Sequence, residues 1–372
     1  MFRQKYQLKN FNWVLLLSVL LISSASVVFI SSADSSYTMK QLVGLVFCVI
    51  VMIAVSLINY NYICGFSRIL YGINIVLLIL VKVAGVSVGG ARRWINLGFT
   101  RLQPSEISKV IMIIFVATFI QDHEDDLNDR KVLLQLAILC GIALLLIVIE
   151  PDLSTTLDIT FILAAVIFTG GLSGKLIRNV ILVMVPLTML FLWYIQTPNQ
   201  ILLKDYQVTR IMTFINPSKY ASSTAYQQDN SVMAIGSGQL YGKGLHNNTI
   251  SGVSVTVTDT GLVSEQQTDF IFSVIGEETG FIGSIATILL FAIIVFECLK
   301  TAYWARNISG RLIAVGMAAL IGFQSFINIG VATEILPNTG LPLPFLSYGL
   351  TSLLSCMAGI GLVLNIGLQR RF

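Results

Sequence analysis

Long apolar segments alternate with short polar ones along almost the whole chain. A helix needs about 17–25 mainly apolar residues to cross the hydrocarbon layer of a bilayer. Ten segments have this length, and they lie at 12–31, 41–58, 69–86, 105–121, 132–149, 155–172, 177–195, 269–299, 311–332 and 345–366. The pattern therefore predicts an all-α, polytopic membrane protein with about ten transmembrane helices.

Composition supports this class. Of the 372 residues, 55% are hydrophobic and only 11% are charged, whereas a soluble domain carries about 25% charged residues. The net charge of +4 is spread over many loops, which predicts no nucleic-acid partner. The five cysteines lie in or beside apolar stretches without metal-ligand spacing, so neither a disulfide framework nor a metal site is expected.

Basic residues define the expected orientation. An even number of spans places both ends of the chain on one side of the membrane, and the first span is expected to be a retained signal anchor. The side with both ends carries Arg3, Lys5, Lys9, Arg68, Lys175, Arg178, Lys300, Arg306, Arg311, Arg370 and Arg371. The positive-inside rule makes this side cytoplasmic. We therefore expect a multi-pass protein of the cytoplasmic membrane with both termini in the cytoplasm.

Two segments on the opposite, extracellular side differ from simple connectors. Residues 196–268 form a long extracellular loop between the seventh and eighth spans, within what we expect to be one transmembrane domain over 1–372. Loops of this length are usually functional or disordered, and the stretch "QQDNSVMAIGSG" suggests a short helix at the membrane surface. Residues 89–106, "GGARRWINLGFTRLQPSE", carry arginines on the side where the rule does not expect them.

The stretch "SEQQTDFIFSVIGEETG" (264–280) places Asp269 where a polar run meets the eighth span. Aspartate is a preferred helix N-cap. A carboxylate half out of water also has a raised pKa, which suits a general base. The residues alone leave both interpretations open.

Glu277 and Glu278 lie deeper, where ionisable side chains usually face a cavity or a partner. On a helix, Glu277 points about 80° from Asp269 and Glu278 about 180° away. Glu277 is therefore the second candidate on this helix. A structural hydrogen bond to a neighbouring helix is the alternative.

The stretch "LQPSEISK" (102–109) opens the fourth span, with Gln103 as cap and Pro104 at the first helical position. Glu106 suits the first turn of a helix, whereas a cation such as Lys109 does not. The two side chains are three residues apart and can pair. We expect a buried ion pair that faces a cavity.

Cations on the extracellular side suggest an anionic ligand. Arg92 and Arg93 precede a tryptophan, Arg210 follows in 196–268, and Lys243 lies in a Gly-rich stretch. Arginine offers a planar fork to phosphate oxygens, so a lipid head group is one interpretation. Simple anchoring of the loops in the head-group layer is the other.

The last two spans are joined by "NIGVATEILPNTGLPLPFLSYGLTS" (328–352). Its proline and glycine content predicts irregular backbone. Such backbone is tolerated at membrane depth only when it is buried in protein or lines a cavity. Glu334 and Asn338 are expected at the mouth of this segment.

Taken in order, these stretches closely resemble the SEDS family, which includes RodA, FtsW and SpoVE. The resemblance covers nearly the whole chain. The short amino terminus of the chain is more similar to that of RodA than to that of FtsW. The motifs that carry it are "GGARRWINLG", "QPSEISK", "EPDLSTT", "YQVTRIMTFINP", "AIGSG…YGKGL", "TDFIFSVIGEETGFIG" and "NIGVATEILPNTGLPLPFLSYG". The family's usual "QPDLGTA" is "EPDLSTT" here.

The resemblance implies a peptidoglycan glycosyltransferase that polymerises lipid II and works with a class B penicillin-binding protein in cell elongation or division. It implies that Asp269 is the catalytic residue, here the base of an inverting single displacement. It also implies functional roles for Glu106, Lys109, Asp152 and the arginines. No resident cofactor is implied; a divalent cation, Mg²⁺ or Mn²⁺, is the alternative to basic side chains at the pyrophosphate. Two other functions stay open: a lipid II flippase, and a non-catalytic scaffold for the penicillin-binding protein.

Overall fold

The computed structural model describes residues 10–88, 91–96, 98, 101–197, 205–215, 224–246, 249–250, 253–254, 256, 263 and 265–369. Five basic residues used to predict the orientation lie outside these ranges: Arg3, Lys5, Lys9, Arg370 and Arg371.

Helices make up most of the described chain. They are α1 (Trp13–Ala33), α2 (Thr38–Leu57), α3 (Tyr60–Gly65), α4 (Ser67–Ala84), α5 (Pro104–Asp122), α6 (Arg130–Ile149), α7 (Leu153–Thr169), α8 (Gly174–Ile195), α9 (Asp205–Ile215), α10 (Thr224–Ser237), α11 (Ile271–Tyr303), α12 (Ile308–Ala332) and α13 (Leu350–Leu368). A 3₁₀ turn, Ser35–Tyr37, precedes α2.

The predicted spans are confirmed as helices. Within the described ranges, nine helices are long and apolar enough to cross a bilayer. The helix α7, with 17 residues, occupies the remaining predicted position. Because successive spans alternate in direction, α4, α6 and α12 end where α5, α7, α11 and α13 begin. This end of the bundle is the one that the sequence predicts to face outward, and it is called the outer end.

The centre of the bundle is formed by α5, α12 and α13. Every residue of α5 from Val110 to Ile120 is buried, and α12 packs against α5, α7 and α11. The exposed apolar side chains of α8, such as Leu182 and Leu190, suit contact with lipid. This closely packed centre therefore supports the segments at the outer end of α5, α12 and α13.

Short strands at the outer end were not predicted. Strands β1 (Val86–Val88), β2 (Ala91–Asn96) and β3 (Arg101–Leu102) form an antiparallel sheet in which Val86 pairs with Trp94. A second pair, β4 (Thr249–Ile250) and β5 (Val253–Ser254), lies in the long loop. Successive strand residues point to opposite faces, so Arg92 is exposed while Arg93 is half-buried.

The helix α11 is interrupted at Gly280, whose φ is 67°. A β-carbon at this position would lie 2.4 Å from the backbone of the 239–244 segment, so only glycine is accommodated. That segment replaces the lost helical hydrogen bonds. Phe281 N–H donates to Gln239 O at 2.8 Å, and Lys243 N–H donates to Glu277 O at 2.9 Å. The long predicted eighth span is therefore two helical pieces joined by a supported break.

The 333–349 loop, which joins α12 to α13, has no regular helix, as its composition predicts. Its start is held by α10, whose presence in the long loop was also predicted. Gln228 Nε2 donates to Leu336 O at 2.9 Å, and Ser231 Oγ donates to Ala332 O at 2.8 Å. Asn338, which was expected at the mouth of this segment, is buried.

Candidate active site

Asp269 lies at the outer end, in the turn that precedes α11. The cap position belongs to Phe270, and no side chain caps this helix start. The Asp269 backbone N–H donates to Glu265 O at 3.0 Å, and its side chain is half-buried. The N-cap interpretation of Asp269 is therefore wrong, and the carboxylate is not committed to starting the helix.

Hydrogen bonds hold the Asp269 turn against the 333–349 loop. Asn328 Nδ2 on α12 donates to both Asp269 O and Leu341 O, each at 2.8 Å. Ser347 Oγ donates to Thr268 O at 2.5 Å. The loop and the turn therefore form one unit, so a shift of the loop would move the carboxylate.

Arg210 approaches Asp269 beside Gly340. A β-carbon built on Gly340 would lie 3.3 Å from Asp269 Oδ2 and 3.6 Å from Arg210 Nη1. Gly340 has a φ of 71°, which favours glycine. Arg210, on α9, also donates from Nη1 to Thr339 O at 3.2 Å. The absence of a side chain at Gly340 therefore leaves a carboxylate and a guanidinium facing one space.

The environment makes Asp269 a stronger base than an ordinary carboxylate. Burial raises its pKa to about 6; Arg210 opposes this increase, Glu265 adds to it, and Arg93 lowers it slightly. A carboxyl with this pKa is ionised at neutral pH and accepts a proton more readily than usual. Arg93 and Arg210 are thus the cations that act electrostatically on Asp269.

Arg93 is held by the turn between α6 and α7. Its Nη1 lies 3.5 Å from Asp152 Oδ1, and its Nη2 donates to Pro151 O. Asp152 is buried and also accepts from Gln103 Nε2 at 3.3 Å. The predicted functional residue Asp152 therefore orients Arg93. Its neighbour Arg92 points away and shares none of these contacts.

The same turn is tied to the 333–349 loop. Asp152 Oδ1 accepts from Thr155 N–H at 3.3 Å and caps α7. Ser154 Oγ donates to Thr339 O at 2.7 Å. That carbonyl also accepts from Arg210, so a single backbone group binds both Arg210 and the start of α7, whose cap Asp152 holds Arg93.

The predicted pair of Glu106 and Lys109 is present beneath this loop. Lys109 Nζ lies 2.8 Å from Glu106 Oε1, and both side chains are buried. A second carboxylate, Asp158 on α7, lies 3.8 Å from the same nitrogen, and Gln324 Oε1 accepts from it at 2.9 Å. Sequence reasoning missed Asp158, although an acid within an apolar segment was an available signal.

Glu277 and Lys243 bind each other. Lys243 Nζ lies 2.7 Å from Glu277 Oε1, which also accepts from Ser237 Oγ at 3.2 Å. Glu278, on the opposite face as expected, accepts from Ser32 Oγ of α1. The contacts of Glu277 and Lys243 support the break in α11, which corresponds to the structural alternative for Glu277.

Glu150 is a further acid that sequence reasoning did not single out. It is buried, and neither carboxylate oxygen has a hydrogen-bond partner among the described residues. Burial, assisted by Asp152 and opposed by Arg93, raises its pKa to about 8. Glu150 therefore holds its proton more tightly than an ordinary carboxyl, next to the pair that Asp152 and Arg93 form.

The described residues contain no group of three or more His, Cys, Asp or Glu side chains arranged to hold a metal ion. Within the described part of the chain, Arg93 and Arg210 are the positive charges that act on Asp269. The arrangement can accept a proton at a carboxylate and stabilise a developing negative charge near it.

Known proteins are similar to this sequence over nearly its whole length. A family model described as a cell cycle protein, FtsW/RodA/SpoVE, matches residues 6–372. The peptidoglycan glycosyltransferase MrdB of Escherichia coli (strain K12) is 33% identical over 361 residues, which cover 96% of this chain and 93% of MrdB. The chain therefore belongs to the FtsW/RodA/SpoVE family, as the motifs predicted.

Solved structures share the fold. A chain from a peptidoglycan synthase complex, in which polymerization and crosslinking are coordinated, has a TM-score of 0.79 at 27% identity over 96% of this chain and 97% of its own length. The rod shape determining protein RodA of Thermus thermophilus has a TM-score of 0.70 at 26% identity over 97% of this chain and 98% of its own. The protein is thus a multi-pass bacterial membrane protein.

Proposed function

We propose that this protein polymerises lipid II into glycan strands at the outer face of the cytoplasmic membrane, in cell shape or division. Its family membership makes it a peptidoglycan glycosyltransferase. Lipid II carries a disaccharide-peptide on undecaprenyl pyrophosphate, so its sugars lie in water and its tail in the bilayer. A polar site at the outer end of an apolar helix bundle suits both parts.

Asp269 acts as the general base. The acceptor hydroxyl oxygen forms a bond to the donor's anomeric carbon, the bond from that carbon to the pyrophosphate breaks, and the hydroxyl proton passes to Asp269. Because an α-linked leaving group is replaced by a β-linkage, the configuration inverts, and one base is sufficient for a single displacement. The raised pKa of Asp269 suits this role.

Arg210 and Arg93 stabilise the departing pyrophosphate. Two guanidinium forks supply paired hydrogen-bond donors to phosphate oxygens, and both arginines act electrostatically on Asp269. Arg92 is exposed and is assigned to lipid head groups. Lys243 and Glu277 are assigned to the support of α11, because they bind each other.

The convergence of Asp269 and Arg210 beside Gly340 is the observation that carries this proposal. The test is purified protein in liposomes with lipid II, assayed for glycan strands and, separately, for movement of lipid II between leaflets. We expect strands from the wild type and from Asp125→Asn, an exposed control acid. If lipid II moved between leaflets but no glycan strands formed, the protein would instead be a flippase. If neither activity were detected, the scaffold function would be favoured.

We also propose that both termini are cytoplasmic and that the partner is a class B penicillin-binding protein. The resemblance to a chain of a peptidoglycan synthase complex supports such a partner. Co-expression and co-purification with that protein test the association, and labelling of terminal tags in intact cells tests the orientation. Failure to co-purify, or labelled termini, would contradict the respective proposal.

A further inference from the structure

A buried polar cluster lies directly beneath the 333–349 loop, and the proposed reaction does not use it. Glu106, Lys109 and Asp158 come from α5 and α7, and Gln324 comes from α12. None of these four side chains is more than 2% exposed. Burying an ammonium among helices is costly unless it is paired, so a specific role for this cluster is expected.

The hydrogen bonds of the cluster run in one direction toward the loop. Lys109 Nζ donates to Glu106 Oε1 at 2.8 Å and to Gln324 Oε1 at 2.9 Å. Gln324 Nε2 then donates to Pro342 O at 2.7 Å. The buried pair is therefore connected to the backbone of the 333–349 loop through one side-chain amide.

Lys109 determines which way this amide faces. An ammonium only donates and a backbone carbonyl only accepts, whereas an amide has one end of each kind. With Lys109 on one side, Gln324 must present its oxygen to the ammonium and its NH₂ to Pro342. A neutral side chain at Lys109 would remove this constraint, and the amide could then turn away from the loop.

The point of attachment is next to the one that fixes Asp269. Asn328 lies one helical turn from Gln324 on α12, on the same face. Asn328 Nδ2 binds both Leu341 O and Asp269 O at 2.8 Å. The two α12 amides thus hold adjacent loop carbonyls, Leu341 and Pro342, and one of them also holds the turn with the base.

We infer that Lys109 and Gln324 are positioning residues that hold the 333–349 loop, and through it Asp269, in place for glycosyl transfer. This inference rests on the proposed function for its catalytic consequence, but not for the effect on the loop. It also assigns Glu106 and Asp158 to fixing the Lys109 ammonium. These buried groups act through the loop and do not contact the substrate, which departs from the expectation that the pair faces a cavity.

The test combines two variants of Gln324 with a matched control. Gln324→Leu removes both hydrogen bonds, and Gln324→Glu keeps an acceptor for Lys109 but loses the donor to Pro342. Ser325→Ala is the control, since Ser325 is buried on the same helix but binds only its own helix, at Ile321 O (2.6 Å). Hydrogen exchange of the amides from 340 to 349 reports on the loop without requiring activity.

Both Gln324 variants are expected to exchange faster in this loop and to lose kcat in lipid II polymerisation, on the order of 100-fold. Their KM for lipid II should stay within about threefold, because ground-state contacts are unchanged. Lys109→Met should behave similarly, and the double variant with Gln324→Leu should be no worse than either single variant. Ser325→Ala should match the wild type.

Unchanged exchange in the loop of Gln324→Glu would overturn the inference, whatever the activity. Faster exchange with a wild-type kcat would overturn the link to Asp269. A higher KM with unchanged kcat would instead indicate direct substrate contact and would overturn it too. If the wild type makes no glycan strands, the proposed function fails, while hydrogen exchange still decides whether Gln324 holds the loop.

Discussion

Asp269 and Arg210 face one space beside Gly340, with Asp269 Oδ2 and Arg210 Nη1 3.3 Å and 3.6 Å from the position of a β-carbon on that glycine. The two residues are 59 positions apart and belong to different elements, the turn before α11 and the helix α9. Their convergence depends on the 333–349 loop, whose Thr339 carbonyl holds Arg210. Substitutions of Gly340, Arg210 and Asp269 test this relationship.

Gly340→Ala should reduce polymerisation at least about tenfold while the protein still folds. An alanine here has a φ of 71°, which costs about 1–2 kcal/mol, and its methyl group crowds Asp269. The measurement is kcat together with the melting temperature. Gly349→Ala is the control, since Gly349 has an extended φ of 169° and a β-carbon there meets nothing closer than 3.8 Å. Equal activity of the two variants would contradict the role of Gly340.

Arg210→Met should lower kcat by about 10²–10³-fold, because a positive charge at the leaving group is lost. Arg210→Lys should restore only a small part, since lysine lacks the planar fork. Single-turnover rates with lipid II measure both effects. Arg68→Lys, at an exposed ion pair with Asp122 at the end of the bundle opposite the outer end, provides the control and should be unaffected. A wild-type rate for Arg210→Lys would show that the fork is not needed.

The pH dependence should report the ionisation of Asp269. Its pKa is raised to about 6, and the base must be unprotonated, so kcat/KM should fall about tenfold per unit as the pH decreases below 6. Glu150→Gln removes another carboxyl at the outer end whose pKa is raised, and this variant should keep the same decrease in kcat/KM below pH 6. If kcat/KM decreased only below about pH 4, the ordinary range of an aspartate, the environment would not raise the pKa of the base.

Glu150→Gln should stabilise the protein at alkaline pH. The pKa of Glu150 in the folded state is about 8, above the ordinary value of 4.5. Between these two pH values, the folded protein therefore keeps a proton on Glu150 that the unfolded chain has lost. The stabilising contribution is complete below pH 4.5 and is lost as the pH rises through 8. Melting temperatures at pH 6 and pH 9 should therefore differ less in Glu150→Gln than in the wild type. An equal difference would contradict a buried neutral Glu150.

The sequence predicts the local features of this fold well. Apolar length alone places the spans, because a bilayer requires it, and the three-residue spacing predicts the Glu106–Lys109 pair. Proline and glycine content predicts the irregular 333–349 loop. Each of these features depends on residues that are near each other along the chain.

Features that depend on packing could not be predicted. Asp158 and Gln324 complete the Lys109 cluster only because α5, α7 and α12 meet at one point. Arg92 and Arg93 are equivalent in the sequence. Because they are neighbours on one strand, they point to opposite faces, and only Arg93 reaches Asp152. Likewise, the Asp269 cap interpretation is locally reasonable, but the helix starts after Phe270.

The most direct test of the central claim is the rate of glycan strand synthesis by Asp269→Asn, measured with purified protein, lipid II and the penicillin-binding partner. Asparagine keeps the size of the side chain but cannot accept the hydroxyl proton. We predict a folded, membrane-inserted protein with a wild-type melting temperature and a rate lower by about 10²–10⁴-fold. Strand synthesis at the wild-type rate would contradict the assignment of Asp269 as the base.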